Sequence, residues 1–227
     1  MKKITPYFLA LSLSFLFASC SSNETEVVEG TPENLLQSYT LKRDATGAYS
    51  IDFNTTNNTD VTTITNVDNS KEIILAETKQ KTATKHSNNF SIENDHLKIG
   101  FLEASNGKQK NIYIEDENIT FAKGVTEFLN SYSITANGDG TYKLDFTVND
   151  NVSTHFKYNE DLEVYEIHLS EGTPDIKQFS RELKIDSNEL LKINFINYKN
   201  VSAKGEVLEE SISEKPKVVI GDGSTFV

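Results

Sequence analysis

The chain has 227 residues, of which 34 are acidic and 22 are basic, so its formal net charge is −12 at neutral pH. This excess of carboxylates repels polyanions and argues against nucleic acid as a partner. Cys20 is the only cysteine, which excludes an intramolecular disulfide.

The first twenty residues have the pattern of an export signal. Two lysines stand near the start, an apolar run occupies residues 7–17, and the segment "FASC" ends at Cys20. The run is too short, and wrongly flanked, to form a stable membrane span. The "FASC" segment resembles the lipobox of bacterial lipoproteins, although Phe17 stands where leucine is usual. The resemblance implies that residues 1–19 are a signal peptide and that Cys20 is the lipidation site, carrying diacylglycerol.

Acylation of Cys20 would hold the protein at a membrane without making it span the bilayer. Each buried methylene contributes about 0.8 kcal/mol, and bacterial lipoproteins carry more than one acyl chain. Residues 20–31 are small, polar and acidic after the cysteine, which predicts a flexible lipidated tether. Loss of residues 1–19 removes two lysines and no acids, which changes the net charge from −12 to −14.

The signal and the Asn-, Lys-, Ile- and Thr-rich composition resemble those of Bacteroidota envelope lipoproteins. This resemblance implies a lipid-anchored place in the cell outer membrane, with the cell surface and the periplasmic side both open. Glu24 and Glu26 form a weak version of the acidic signal that sends some of these lipoproteins to the cell surface.

The rest of the chain contains internal repeats. The segment "QSYTLKRDATGAYSIDF" (37–53) aligns without a gap on "NSYSITANGDGTYKLDF" (130–146). A fainter pair is "HLKIGF" (96–101) and "LLKINF" (190–195). Four related units therefore follow one another, and alternate units are the most alike.

Each unit contains a core strand that has apolar residues at alternate positions and ends on a phenylalanine. These phenylalanines, at intervals of 48, 45 and 49 residues, are Phe53, Phe101, Phe146 and Phe195. Period-two alternation with aromatic and β-branched residues marks half-buried strands. The sequence therefore predicts an all-β protein of antiparallel meanders, in four units of about 47 residues.

One meander cannot bury its apolar face alone, so neighbouring units must cover it. Because alternate units match best, we expect two tandem eight-stranded sandwich or barrel domains, over residues 32–124 and 125–212. The alternative is a single propeller-like ring of four blades. Residues 213–227 form either a tail or a closing strand, because they contain "KVVIG". One or two helical turns are expected in "TPENLLQSY" and "VTEFLNSY", before the first and third units.

The third unit predicts a hairpin between "STHFKY" and "VYEIHLS". A register that opposes Phe156 to Ile167 and Tyr158 to Tyr165 puts the large apolar groups on one face. The other face, which we expect to face water, carries His155, Lys157, Glu166 and His168. Two histidines and a carboxylate suit a transition metal, but sheet surfaces carry such residues routinely, and we predict no metal site. The other two histidines, which we expect to be solvated, are His86 and His96.

The segment "TANGDGTYKLDF" resembles the beginning of a calcium loop. If Asp139 takes the fifth position, the first and twelfth positions fall on Thr135 and Phe146, which lack the required carboxylates. The matching segment of the first unit keeps a glycine, Gly47, but has Thr46 in place of the aspartate. We therefore expect a hairpin turn here and no calcium site.

Known catalytic signatures are missing from the sequence. It contains no Gly-x-Ser-x-Gly elbow, no His-Glu-x-x-His motif and no phosphate loop. Cys20 is assigned to the lipid, so a thiol nucleophile is excluded from the mature chain. The repeated units keep core residues and vary polar ones, which favours a scaffold over an active site. We therefore expect no enzymatic activity and no cofactor.

Glycan binding would require exposed aromatic rings, since their flat faces stack on sugars. The candidates are Tyr113 and Tyr198, which lie opposite the alternating apolar residues of their strands. The predicted function is that of a non-enzymatic, lipid-anchored envelope protein that binds an unknown protein or glycan. The alternatives are a periplasmic-side structural accessory of a secretion or motility complex, and an enzyme that degrades an extracellular polymer.

Overall fold

The computed structural model describes residues 34–116, 128–137, 140–173, 176–186, 188–203 and 206–223, without the side chains of 199–210. From Asn34 onwards the chain forms one compact unit. The predicted signal peptide, Cys20 and the tether lie outside the described residues. Within the described ranges, no helical segment has the length and apolarity that crossing a membrane would require.

The described residues form β-strands and the turns that connect them. The strands are β1 (Leu36–Arg43), β2 (Tyr49–Thr55), β3 (Thr59–Thr65), β4 (Lys71–Glu77), β5 (Lys85–Phe90), β6 (His96–Glu103), β7 (Gln109–Glu115), β8 (Leu129–Ala136), β9 (Tyr142–Val148), β10 (Val152–Asn159), β11 (Val164–Glu171), β12 (Gln178–Leu183), β13 (Leu190–Ala203), β14 (Glu206–Ser213) and β15 (Lys217–Asp222). The predicted all-β class is therefore confirmed.

Alternation along each strand decides which side chains enter the core. In β2, Tyr49, Ile51 and Phe53 are buried, while the residues between them are partly exposed. The matching strand of the third unit, β9, has the same alternation of buried and more exposed residues. Because successive side chains of a strand point to opposite faces, one face of each sheet becomes apolar and the other polar.

The strands form two sheets that pack as a sandwich. The six-stranded sheet has the order β12-β9-β8-β1-β2-β5, and the nine-stranded sheet has the order β10-β11-β13-β15-β7-β6-β4-β3, with β14 paired to β13. Buried side chains from both sheets form one apolar core. Both sheets end in edge strands, so the sandwich is open rather than barrel-like.

Strand pairing refines the meanders expected from the sequence, because consecutive hairpins lie in different sheets. Hairpins β1–β2 and β8–β9 belong to the six-stranded sheet, whereas β3–β4 and β10–β11 belong to the nine-stranded sheet. A hairpin with one apolar face is unstable alone, and here Phe101 of β6 and Phe195 of β13 cover the faces of β1–β2 and β8–β9 from the opposite sheet. Two pairs are parallel, β4 with β6 and β11 with β13.

The first two units (β1–β7) and the last two units (β8–β15) form two repeats of matching architecture, and each sheet contains strands from both repeats. Strands β1–β7 give three strands to the six-stranded sheet and four to the nine-stranded sheet, and β8–β15 give three and five. The two repeats meet where β1 pairs with β8 in one sheet and where β15 pairs with β7 in the other. Instead of closing separately over 32–124 and 125–212, they form one continuous sandwich.

The repeated phenylalanines occupy equivalent places in the core. Phe53 of β2 meets Phe101 of β6 across the core with ring centroids 5.2 Å apart, and Phe146 of β9 meets Phe195 of β13 at 5.9 Å. Both pairs are edge-to-face, the arrangement that aromatic rings favour. The repeat seen in the sequence therefore reflects two copies of one cross-sheet packing unit.

The ends of the repeats differ in part from the expectations. Leu36 and Leu129 begin strands β1 and β8 where helical turns were expected, so that prediction is wrong for the described residues. Leu35 is buried, and its backbone N–H donates to the buried Glu103 carboxylate at 2.8 Å, which ties the residue before β1 to the end of β6 in the other sheet. The segment "KVVIG" forms part of β15, which pairs with both β13 and β7, so of the two alternatives the structure shows a strand.

Candidate ligand-binding face

The polar face of the six-stranded sheet carries a trough of about 670 Å³. It crosses β1, β2, β8, β9 and β12, and serine and threonine residues are the commonest residues in its lining. Charged groups reach it from Lys42, Asp44 and Asp145. At the β12 end it is lined by Phe179, a half-buried ring stacked on Phe146 at 4.7 Å. The trough is therefore lined by polar side chains of the outer face together with three aromatic residues, Tyr132, Phe146 and Phe179.

The alternation that places large apolar residues in the core places small polar residues on this outer face. In β8, Tyr132 and Ile134 are buried, and the partly exposed residues beside them are Ser131 and Ser133. Small outward residues in the middle of a sheet leave space between the longer side chains around them. The trough is thus set by side-chain size on the polar face.

One row of polar residues crosses all six strands in register, and we name it the hydroxyl row. From β5 to β12 it consists of Asn89, Ser50, Lys42, Ser133, Asp145 and Ser180. Neighbouring strands in a sheet are about 4.8 Å apart, so the row is about 24 Å long.

Three members of the hydroxyl row have side chains without partners. The hydroxyls of Ser50, Ser133 and Ser180 make no hydrogen bond to any residue that the structure describes. Ser50 and Ser133 are partly exposed and Ser180 is exposed, so water satisfies these hydroxyls in the unbound protein. They are therefore available to a ligand without breaking a contact within the protein.

The adjacent row of the same face is paired internally. Asp52 accepts hydrogen bonds from Lys42 and Ser87, and these bonds lower the pKa of its carboxyl. Next to them, the hydroxyls of Thr40 and Thr135 lie 3.1 Å apart. The contrast between the two rows marks the three serines of the hydroxyl row as polar groups of this face that lack partners among the described residues.

A buried network lies beneath the trough, at the joint between the repeats. Arg43 Nε donates to Asp116 Oδ2 at 2.8 Å, and the Tyr49 hydroxyl donates to the same oxygen at 2.8 Å. The Tyr132 hydroxyl donates to that of Tyr49 at 3.0 Å. Burial raises the pKa of both phenols, so they remain protonated donors. Since Arg43 and Tyr132 also line the trough, this network holds its floor in place.

The predicted hairpin register of β10 and β11 is confirmed. Phe156 pairs with Ile167, Tyr158 with Tyr165, and His155 with His168. The two imidazole ring centroids lie 6.2 Å apart, on the outer face of the nine-stranded sheet. The pairing of β10 with β11 therefore brings these two histidines together, as expected from the sequence.

Glu166 and His168 are less exposed than the sequence predicted. The carboxylate of Glu166 lies 3.0 Å from His168 Nε2, and the residue is 8% exposed. His168 Nδ1 lies 3.0 Å from the Tyr198 hydroxyl, and the two rings stack. Burial raises the pKa of Glu166, but hydrogen bonds from Asn159 and His168 outweigh it, and the net shift is downward.

Metal binding gains no support from these contacts. Both ring nitrogens of His168 already have partners, and no group of three or more potential ligands is close enough to hold a metal in the described parts of the chain. His86 is not simply solvated, because its ring stacks on Phe53 at 4.9 Å. His96 is partly exposed, with Nδ1 2.9 Å from the Asn94 carbonyl oxygen.

The two tyrosines proposed as sugar platforms lie apart, on β7 and β13, and each ring already has a neighbour. The ring of Tyr113 lies 6.4 Å from that of His96, and the Lys98 ammonium lies 6.0 Å from its centroid. The ring of Tyr198 stacks on His168 at 5.5 Å. Neither tyrosine lines the trough.

The hairpin turn predicted in place of a calcium loop is present. The Asn137 amide donates to the Thr141 carbonyl at 2.8 Å, and Gly140 has φ of +82°. In the first repeat, the Asp44 amide donates to the Ala48 carbonyl at 2.9 Å. Asp139 lies outside the described residues. Both glycine positions require the left-handed backbone that glycine adopts readily.

No protein-family model matches the chain, and neither the curated proteins nor the solved structures contain a match. The chemistry of the trough therefore has to carry the functional argument. Sequence reasoning missed this site because its residues come from five strands whose order in the sheet the sequence does not state. The available signal was the run of small outward residues, such as Ser131 and Ser133, beside buried ones.

Proposed function

We propose that the protein is a non-enzymatic, lipid-anchored binding protein of the bacterial outer membrane, and that its ligand, a protein or a glycan, binds in the trough. The observation that carries this proposal is the set of partner-free hydroxyls on Ser50, Ser133 and Ser180 in a trough of about 670 Å³. Polar groups on a regular sheet are held more precisely than groups on loops.

Preorganisation favours binding at this face. A ligand that meets an ordered surface loses less free energy to the ordering of side chains. The floor of the trough is fixed from below by the contacts of Arg43 with Asp116 and of Tyr132 with Tyr49. The trough would therefore change little when it is filled.

The titratable groups of the trough favour binding over catalysis. General acid–base catalysis works best with a group whose pKa lies near the working pH. Hydrogen bonds from Thr46 and Ala48 lower the pKa of Asp44, which moves it further from neutrality. The side chain of Asp145 lies 3.0 Å from the Lys143 ammonium. No histidine or cysteine is among the described lining residues.

The anchor is tested by growing cells with a labelled fatty-acid analogue. The wild-type protein should carry the label and a Cys20→Ser variant should not. Equal labelling of the two proteins would refute lipidation at Cys20. Proteinase K added to intact cells should degrade the protein if it faces the medium, whereas full protection would place it on the periplasmic side.

The binding site is tested with Ser133→Phe, which places a large ring in the middle of the trough. The matched control is Thr62→Phe, because Thr62 is exposed on the outer face of β3 in the other sheet. Ligand capture from outer-membrane and glycan fractions should be lost in the first variant and kept in the second. Equal capture by both variants would show that the ligand binds elsewhere.

A further inference from the structure

We infer that the ligand is an extended, unbranched and uncharged glycan that lies along the hydroxyl row, across the strands, with one sugar ring over each strand. This inference rests on the proposed binding function and specifies its ligand. The juxtaposition that carries it is the in-register row of hydrogen-bonding side chains that crosses the whole six-stranded sheet.

The spacing of the row fits a polymer of sugars. Strands in a sheet repeat every 4.8 Å or so, about 24 Å in all across six strands. A pyranose ring in an extended chain advances by nearly the same distance. Each sugar of such a chain would therefore lie over one member of the row, an arrangement that a branched or globular ligand does not have.

The chemistry of the row fits hydroxyl groups. A sugar hydroxyl both donates and accepts hydrogen bonds, and so do the serine hydroxyls of Ser50, Ser133 and Ser180. Asp145 adds an acceptor and Lys42 adds a donor at positions between them.

A protein ligand fits the row less well. Peptides that add to a sheet pair with the backbone of an edge strand, whereas the row lies on the face of the sheet. Stable protein interfaces centre on buried aromatic or arginine anchors, whereas the middle of the row is serine and lysine. The observations therefore favour a glycan over a protein.

The charge of the protein and the ion pairs of the row favour an uncharged glycan. The chain has a net charge of −12, which repels acidic polysaccharides. The charges of the row itself are compensated, because Lys42 pairs with Asp52 and Asp145 pairs with Lys143. A neutral sugar chain could bind without displacing either pair.

The test is calorimetric titration of the purified full-length lipoprotein in detergent with linear neutral hexasaccharides. The probes are cellohexaose, laminarihexaose, maltohexaose, xylohexaose and mannohexaose. At least one should bind, and within its series from disaccharide to octasaccharide the affinity should rise with length and level off at about six sugars, one per strand. Binding should weaken little in high salt, since no ion pair is formed.

Variants of the row link this binding to the site. Ser133→Phe should weaken the best hexasaccharide at least about tenfold, and Thr62→Phe should leave it unchanged. Because a phenylalanine could disturb folding, Ser133→Ala and Ser180→Ala provide gentler changes, each expected to weaken binding several-fold. The melting temperature of each variant is measured alongside.

Three results would overturn the inference: no hexasaccharide binds, affinity does not depend on chain length, or the row variants bind as the wild type does. If a purified protein ligand is instead lost in Ser133→Phe, the inference falls while the proposed binding function stands. If Ser133→Phe affects neither glycan nor protein capture, both fall.

Discussion

The buried pair of Arg43 and Asp116 gives the sharpest prediction about stability. Their side chains are 5% and 7% exposed, and Asp116 Oδ2 accepts hydrogen bonds from Arg43 Nε and from the Tyr49 hydroxyl, both at 2.8 Å. Asp116→Asn keeps the shape of the side chain but removes the charge that compensates the guanidinium. Loss of one partner of a buried ion pair costs about 3–5 kcal/mol.

Because asparagine retains an oxygen acceptor, we expect the lower end, about 3 kcal/mol. For an unfolding slope of about 2–3 kcal/mol per molar urea, the midpoint of urea unfolding would fall by about 1 M. Circular dichroism at increasing urea concentration measures this midpoint. Replacing both partners with apolar residues, Arg43→Met with Asp116→Leu, should restore part of the loss, since no buried charge remains.

The chain offers a matched control in the neighbouring pair, Lys42 with Asp52. Their side chains are 47% and 43% exposed, so Asp52→Asn should cost less than about 1 kcal/mol. High salt should reduce the effect at Asp52 and leave that at Asp116 almost unchanged. Equal and small effects of Asp52→Asn and Asp116→Asn would refute the reasoning that the buried charge pair holds the joint.

Two further predictions concern pH and backbone conformation. The pKa of Glu166 is lowered in the fold, so its ionised form stabilises the fold above its unfolded pKa of about 4.3, and this contribution disappears as the pH falls through the folded pKa. When the free energy of unfolding is measured by urea titration at several pH values, Glu166→Gln should therefore lose less stability than the wild type below about pH 5. An equal loss of stability in the two proteins would contradict this. Gly140 has φ of +82°, and an added Cβ would meet nothing within 4 Å, so Gly140→Ala should cost about 1–2 kcal/mol of backbone strain. Thermal unfolding measures this, and an unchanged melting temperature would refute it.

Features that depend on neighbouring residues could be predicted from the sequence. The pairing of Phe156 with Ile167 follows from alternation, because a shift by one residue would turn the apolar groups to the wrong face. The turn at Gly140 follows from comparison with Gly47, since both copies keep a glycine at a positive φ. The repeat of phenylalanines predicted equivalent core positions for the same reason.

Features that depend on distant pairing could not be predicted. The turn between β2 and β3 has the composition of an ordinary hairpin, yet β2 pairs with β5 and the chain passes to the other sheet. Arg43 and Asp116 each continue an alternating apolar series inward, which signals a buried charge but does not identify its partner. The hydroxyl row needs the order of six strands before it can be recognised.

The position of β15 has a consequence for how the molecule is completed. This strand lies between β13 of the second repeat and β7 of the first, so the nine-stranded sheet stays divided until it arrives. A nascent or truncated chain that lacks Lys217–Asp222 exposes two unsatisfied strand edges, which invite proteolysis and aggregation. β15 thus joins the two repeats within the nine-stranded sheet, and the resistance of the fold to proteases depends on this one strand.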